Sequence, residues 1–110
     1  MKRGEIWTAA GPGCLSKPRP VVVLQSDVFA ETDSVTVCPI TSQATAGDAD
    51  LVRVELPAGD TTGLQQTSWA MVDKIITTRR TSLTQRVGTT PTAQLRRASM
   101  LMAVFLGLAE

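Results

Sequence analysis

Residues 17–24 read KPRPVVVL and join a rigid, cationic segment to an unbroken apolar run. The run from Val21 to Leu24 is rich in β-branched residues, which is typical of a buried strand. Arg19 stands between Pro18 and Pro20, and these prolines hold the backbone extended. A guanidinium fixed in this way presents a planar fork of donors that suits a phosphate. The alternative for Arg19 is an ordinary surface salt bridge.

The rest of the chain supplies four strands besides the one that contains the apolar run. Segments of strand type, bounded by Gly- and Pro-rich stretches, predict strands at 5–9, 20–25, 35–40, 51–56 and 67–76. Long loops are expected over 10–18 and 41–50, and one or two helical turns over 82–87. Because strands and helices do not alternate, the sheet should be mostly antiparallel and curl into a small barrel. We therefore expect a mainly β fold with some α structure, in a single domain spanning residues 1–110.

The C-terminal segment predicts an amphipathic helix. Thr90 followed by Pro91 is typical of an N-cap and a first-turn proline. One helical face then carries Gln94, Ala98, Leu101, Phe105 and Leu108. Met102 and Val104 widen this face beyond what one small sheet needs. We expect one side of the helix to join the core and the other to contact a second copy of the chain.

The composition excludes several classes of protein. The chain of 110 residues has a net charge of +1, so it lacks a strongly basic surface, although a local basic groove is compatible with 11 Lys and Arg residues. It contains no histidine, and its two cysteines lack CxxC spacing, so we expect no metal site. It also lacks nucleotide-binding signatures, a signal peptide and any apolar segment of membrane-spanning length. We expect a cytoplasmic protein with free thiols and no cofactor.

Polar residues at strand ends are the remaining candidates for chemistry. Thr41, Ser42 and Gln43 follow an apolar strand, where hydroxyl and amide groups can donate to phosphates or base edges. Asp73 and Lys74 follow another apolar stretch and are candidates for binding a base and a phosphate, respectively. The structural alternatives are an ordinary strand terminus and a solvated charge pair.

Trp7 and Trp69 raise a separate question. An exposed indole can stack on a nucleobase. In a chain with so few aromatic residues, we instead expect both side chains to pack in the core or at a subunit contact.

The order of these motifs resembles that of the MazF/PemK family. The matching segments are RGEIW from Arg3, RPVVVLQSD from Arg19, PITSQ from Pro39, DKIITT from Asp73 and RVG from Arg86. Each segment is short, but their order and spacing together are specific and cover nearly the whole chain. Members of this family are toxin endoribonucleases, or mRNA interferases, of type II toxin–antitoxin systems.

The resemblance implies a fold, partners and residue roles. It implies a small SH3-like barrel of the CcdB/MazF type, a homodimer, a MazE-like antitoxin, and cleavage of single-stranded RNA without a metal. Arg19 and Thr41 match the catalytic Arg and Thr, and Asp73 matches an acid that contributes to the site in some members. The residues expected to bind RNA are Ser16, Lys17, Ser42, Gln43, Asp73 and Lys74. The chain departs from some members in carrying Met71 where they have Arg, and in lacking a loop histidine.

The expected reaction needs few protein groups. The 2′-hydroxyl of RNA would attack the adjacent phosphate and expel the 5′-oxygen, which leaves a 2′,3′-cyclic phosphate. Arg19 and Thr41 would stabilise the extra negative charge that develops on the phosphate. Three sources of the general base stay open: Asp73, Glu5 and proton transfer assisted by the substrate itself.

Two other functions fit the same outline. A CcdB-like gyrase poison is not catalytic and binds through C-terminal residues that typically include a tryptophan, whereas this chain ends in LGLAE. A degenerate family member would bind only RNA or antitoxin. Loss of intact mRNA before DNA breakage after induction would exclude the gyrase poison, and an RNA-cleavage assay would exclude the degenerate member.

Overall fold

A computed structural model describes residues 1–11, 15–44 and 47–109, with the side chains of residues 11, 15, 16 and 48–50 left out. Within these residues the chain forms seven strands and one α-helix. The strands are β1 (Glu5–Gly11), β2 (Leu15–Val23), β3 (Ser34–Thr41), β4 (Arg53–Leu56), β5 (Ser68–Met71), β6 (Ile76–Arg79) and β7 (Leu83–Thr89), and the helix is α1 (Thr92–Phe105). Short 3₁₀ turns lie at Asp27–Phe29, Gly47–Val52, Val72–Lys74 and Arg80–Ser82.

The described strands all pair in antiparallel fashion, in the order β4–β5–β3–β2–β1–β7. The remaining strand, β6, pairs with β3. Strand β3 is therefore the centre of the sheet, because it contacts β2, β5 and β6 along different parts of its length. The predicted fold class, mainly antiparallel β with a C-terminal helix, is confirmed.

The core lies on both faces of the central strands. Side chains alternate along a strand, so Val22 and Leu24 face one way while Val21 and Val23 face the other. The first pair belongs to the larger core cluster, which includes Ala98 of α1. The second pair belongs to the smaller core cluster, formed mainly by β1, β2, β3 and Leu83 of β7. All four residues are buried, as the apolar run predicts.

The segment 67–76, predicted as one strand, contains β5 and the turn Val72–Lys74 and ends on the first residue of β6. Both strands pair with β3, through Ile40↔Ala70 before the turn and Val37↔Ile76 after it. These two pairs are three residues apart along β3 but six residues apart along the segment from β5 to β6. The 3₁₀ turn takes up the additional residues, which no local sequence signal required.

Two other boundaries differ from the prediction. Segment 82–87, expected to be helical, lies almost entirely in β7, which pairs with β1 from Glu5↔Thr89 to Ala9↔Leu83. Long-range pairing has overridden local preference there. Of the loop expected at 10–18, residues 10 and 11 lie in β1 and residues 15–18 lie in β2, while residues 12–14 lie outside the described residues.

Two glycines permit a close crossing between the turn around 61–63 and β7. A Cβ atom on Gly88 would lie 2.3 Å from the carbonyl oxygen of Thr62. Gly63 has φ +72°, and a Cβ atom there would lie 2.2 Å from the carbonyl oxygen of Val87. A larger residue at either position would therefore force the two backbones apart.

The helix α1 begins one residue later than predicted, because Pro91 and not Thr90 is its N-cap. Ala98 is buried, whereas Phe105 is exposed, so the predicted inward face holds only for the first part of the helix. The large apolar side chains left exposed here are Met100, Val104, Phe105, Leu106 and Leu108. None of the helices in the described ranges has both the length and the apolar character needed to cross a membrane.

Candidate active site

An open pocket of about 320 Å³ lies at the end of β3. Strands β2, β3 and β5 and the residues just after β3 contribute its lining. The lining residues are Arg19, Pro39, Ile40, Thr41, Ser42, Gln43 and Met71. The structure therefore brings together four residues that the sequence analysis singled out, from two segments that are distant in the chain.

The strand register explains why Arg19 and Thr41 line the same pocket. Strands β2 and β3 are paired as far as Val21↔Pro39. The same register, continued by two residues, sets Arg19 opposite Thr41. Opposed residues in antiparallel strands have side chains on the same face of the sheet.

Arg19 is exposed, and its guanidinium forms no ion pair or hydrogen bond with any residue that the structure describes. Four other arginines are engaged within the fold. Arg3 donates to the Leu24 carbonyl, Arg80 donates to the Phe29 carbonyl, and Arg53 and Arg86 form ion pairs. The surface salt bridge considered for Arg19 is thus not seen in the described part of the chain, and its charge is available at the pocket.

Thr41 ends β3 and is partly buried. Its Oγ1 accepts a hydrogen bond from the backbone N–H of Gln43 at 3.2 Å. Because this contact uses only a lone pair of the oxygen, the hydroxyl proton stays free to donate. The same contact is the Ser/Thr turn expected of an ordinary strand terminus, so a structural role and a functional role coexist here.

The other predicted RNA-binding residues are distributed unevenly. Ser42 and Gln43 are exposed and line the pocket. Lys17 is exposed on β2 two residues before Arg19, hence on the same strand face, but it is not part of the lining. Lys74 is exposed in a 3₁₀ turn and is also absent from the lining. The side chain of Ser16 and the whole of Cys14 lie outside the described residues.

Asp73 does not line the pocket and forms an ion pair with Arg53 of β4. Its Oδ1 lies 3.5 Å from Arg53 Nε, and the Arg53 side chain is only 7% exposed. Neither atom has a hydrogen-bond partner in the described structure, so the contact is electrostatic without a hydrogen bond. No motif marks Arg53 in the sequence. The signal that would have found it is the β4–β5 register, which pairs Arg53 with Met71, two residues before Asp73.

Cys38 is a fully buried free thiol in the larger core cluster, as expected of a small core residue. Burial raises its pKa to about 12, and the nearby Asp73 carboxylate adds to the effect. The thiol therefore stays protonated at neutral pH and is no candidate for a nucleophile.

Glu5, the weaker candidate for a general base, is engaged away from the pocket lining. Its Oε1 accepts hydrogen bonds from the Trp7 indole at 3.0 Å and from the Lys2 backbone at 2.8 Å, and its Oε2 lies 3.2 Å from Arg86 Nε. Burial acts to raise the pKa of Glu5, but these contacts outweigh burial and lower it. In the described ranges, no three His, Cys, Asp or Glu side chains are grouped as metal ligands would be.

The two tryptophans differ in their packing. Trp7 packs against the smaller core cluster, as predicted. Trp69 packs against neither core cluster of the described residues, so of the two expected environments only a subunit contact stays a prediction for it.

Comparison with known sequences places the chain in one family. The family model of the PemK-like, MazF-like toxin of type II toxin–antitoxin systems matches residues 2–106. The chain is 44% identical over 110 residues to the "Probable endoribonuclease MazF" of Mycolicibacterium smegmatis, covering 99% of both sequences. It is 39% identical over 113 residues to the endoribonuclease MazF6 of Mycobacterium tuberculosis, covering 98% of this chain and 93% of the relative.

Solved structures show the same fold. An endoribonuclease in complex with its cognate antitoxin, from a mycobacterial species, superposes with a TM-score of 0.83 at 18% identity, covering 100% of this chain and 98% of that chain. The Mycobacterium tuberculosis toxin MazF-mt6 superposes with a TM-score of 0.79 at 24% identity, covering 96% of this chain and 99% of that chain. Since the family model and both sequence relatives extend over nearly the whole chain, this protein belongs to the PemK-like, MazF-like toxins of type II toxin–antitoxin systems, in which its matched relatives are endoribonucleases.

Proposed function

We propose that this chain cleaves single-stranded RNA by attack of a ribose 2′-hydroxyl on the adjacent phosphate. The observation that carries the proposal is the shared pocket, which is lined both by a guanidinium that has no partner among the described residues and by a hydroxyl whose proton is free to donate. Its volume of about 320 Å³ suits a phosphate and part of its neighbouring nucleotides.

The reaction rearranges bonds within the RNA. The 2′-oxygen bonds to phosphorus as the bond from phosphorus to the 5′-oxygen breaks, which gives a 2′,3′-cyclic phosphate and a 5′-hydroxyl. The 2′-hydroxyl proton passes through a non-bridging phosphate oxygen to the departing 5′-oxygen. This substrate-assisted route fits the engagement of Asp73 with Arg53 and of Glu5 with Arg86.

Arg19 and Thr41 act on the charge that builds up during the attack. The pentavalent phosphorus carries more negative charge than the starting diester, so groups preorganised around it lower the barrier. Arg19 supplies a permanent positive charge with two parallel donors. Thr41 donates its hydroxyl proton to a non-bridging oxygen, while the Gln43 N–H holds the Thr41 oxygen in place.

Residues around the pocket bind the flanking nucleotides. Ser42 and Gln43 lie at the pocket and present donors and acceptors to base edges. Lys17 and Lys74 are exposed and add phosphate contacts beyond the pocket, and Ser16 adjoins Lys17 in the chain.

An RNA-cleavage assay in EDTA tests this function. We compare wild type with Arg19→Ala and with Arg79→Ala, in which the replaced arginine is exposed and lies on β6, outside the pocket lining. Wild type and Arg79→Ala should cleave a long single-stranded RNA and leave cyclic phosphate ends, while Arg19→Ala should lose at least about 100-fold in rate. No cleavage by wild type, or equal cleavage by all three proteins, would contradict the proposal.

We further propose that the protein acts in the cytoplasm as a homodimer that a MazE-like antitoxin neutralises. Support comes from the exposed apolar side chains near the end of α1 and from the related endoribonuclease solved with its cognate antitoxin. Light scattering should give twice the chain mass of 11.7 kDa. Co-expression with the protein encoded by the neighbouring gene should abolish RNA cleavage.

A further inference from the structure

Trp69 is a large aromatic side chain outside both core clusters of the described residues. Trp7, by comparison, packs against the smaller core cluster and donates its indole N–H to Glu5 at 3.0 Å. Trp69 is partly exposed, packs against neither core cluster, and forms no side-chain hydrogen bond with any described residue. A buried tryptophan normally has a partner for its N–H as well as for its apolar ring. Trp69 is not itself in the pocket lining, but its pairing partner Thr41 and its strand neighbour Met71 are, so its free surface suits a ligand contact at the edge of the pocket.

Strand pairing places Trp69 next to the proposed catalytic threonine. Trp69 pairs with Thr41 of β3 on one side and with Glu55 of β4 on the other. Paired residues in antiparallel strands have Cα atoms about 4.5–5.5 Å apart and side chains on the same face. The β2–β3 pairing ends at Val21↔Pro39, and its register continued by two residues sets Arg19 on the other side of Thr41, with which it shares the pocket lining. Arg19, Thr41, Trp69 and Glu55 then follow one another in one row across the sheet.

The charges along this row give the bound RNA a direction. The guanidinium and the hydroxyl at one end attract a phosphate, whereas the exposed Glu55 carboxylate at the other end repels one. The uncharged part of a nucleotide is therefore the part that suits the surface of Trp69. We propose that Trp69 stacks on the nucleobase next to the phosphate held by Arg19 and Thr41, an assignment that rests on the proposed function.

Stacking on an indole has a characteristic energetic profile. Every base has a π face, so the contact tolerates many sequences, and its loss should weaken RNA binding about 10- to 100-fold. Because the base is equally stacked before and during the attack on phosphorus, the contact should lower KM without raising kcat.

Tryptophan fluorescence reports the contact directly. In Trp7→Phe, Trp69 is the only indole, and in Trp69→Phe, Trp7 is the only one. The probe is a short, mixed-sequence, single-stranded RNA with 2′-O-methyl riboses, which cannot undergo internal cleavage. Titration with this probe should quench the emission of Trp7→Phe saturably and leave that of Trp69→Phe nearly unchanged.

The affinity for the probe and the kinetics of RNA cleavage supply a second readout. This readout is sufficient by itself if Trp7→Phe does not fold. Trp69→Phe keeps an aromatic face and should bind the probe within a few-fold of wild type. Trp69→Leu keeps apolar bulk without the aromatic face and should bind about 10- to 100-fold more weakly. In cleavage of unmodified RNA, Trp69→Leu should raise KM and leave kcat close to wild type.

The outcomes separate this inference from the proposed function. Probe binding without Trp69 quenching, or equal affinity of wild type and Trp69→Leu, overturns the stacking role even if RNA is cleaved. Quenching by the probe without cleavage of unmodified RNA overturns the nuclease and leaves the stacking contact standing. A Trp69 emission that changes with protein concentration but not with RNA assigns this face to a second copy of the chain and overturns the inference.

Discussion

Arg53 Nε on β4 lies 3.5 Å from Asp73 Oδ1 in the turn after β5, and neither atom has another polar partner among the described residues. The Arg53 side chain is 7% exposed and that of Asp73 is 23% exposed. The buried charge of Arg53 is strongly destabilising unless its partner Asp73 is present. Asp73 therefore serves first to neutralise Arg53, whose pairing partner Met71 lines the pocket.

Asp73→Asn should destabilise the protein by about 2 kcal/mol, below the range for a fully buried pair because Asp73 is partly exposed. Urea unfolding measures the change, with Lys74→Gln as the control, since Lys74 is the exposed neighbour in the same turn. The double change of Arg53→Met and Asp73→Leu should recover most of the loss, because it removes both charges. An Asp73→Asn protein of unchanged stability that no longer cleaves RNA would instead support Asp73 as the general base.

Thr41→Val should lower the rate of RNA cleavage about 100- to 1,000-fold, because it removes one preorganised donor while keeping the shape of the side chain. Thr41→Ser keeps the hydroxyl and should stay within about 10-fold of wild type. Single-turnover cleavage, with circular dichroism to verify folding, measures both variants. A Thr41→Val protein as fast as wild type would leave the Thr41 hydroxyl with only its contact to Gln43.

How much of this site the sequence predicts depends on whether the signal is local. The rigid KPRP segment and the polar residues after β3 are local patterns, and they identify four residues of the pocket lining. The ion pair of Arg53 and the position of Trp69 beside Thr41 are not predicted, because both come from pairing between β4, β5 and β3, which are separate segments of the chain. The helical expectation at 82–87 fails for the same reason, since pairing with β1 decides the structure of β7.

Cys38 should make the stability fall at alkaline pH. Its folded-state pKa of about 12 exceeds the ordinary value of 9.0, so the unfolded chain loses the thiol proton first as the pH rises. The stabilisation is complete below pH 9 and is lost progressively from pH 9 towards pH 12. Between pH 9 and pH 10 this group alone should cost about 1 kcal/mol of unfolding free energy.

The contribution of this thiol is isolated by comparing two proteins in urea under reducing conditions. Both carry Cys14→Ser, and one of them also carries Cys38→Ala. The protein that keeps Cys38 should lose unfolding free energy more steeply between pH 9 and pH 10 than the alanine variant. Any constant difference between the two proteins reports packing, and only the difference in slope reports the thiol. Parallel pH profiles would show that Cys38 titrates normally in the folded state.

Two buried threonines should respond in opposite ways to the same substitution. Thr90 Oγ1 is buried without a hydrogen-bond partner in the described structure, so Thr90→Val should be neutral or stabilise by up to about 1 kcal/mol. Thr62 is equally enclosed, but its hydroxyl donates to the Pro57 carbonyl at 2.7 Å and accepts from the Leu64 N–H at 3.2 Å. Thr62→Val leaves both backbone groups unpaired and should cost about 2 kcal/mol.

Thermal and urea unfolding of the two valine variants, measured side by side, decide between hydrogen bonding and simple volume at these positions. Because the replacement has the same shape in both cases, a packing effect would move the two proteins in the same direction. Stabilities that fall equally in Thr90→Val and Thr62→Val would mean that the Thr90 hydroxyl is hydrogen-bonded in solution, through water or another group. Opposite shifts would show that the start of α1 is held by apolar packing and by Pro91, without help from a threonine cap.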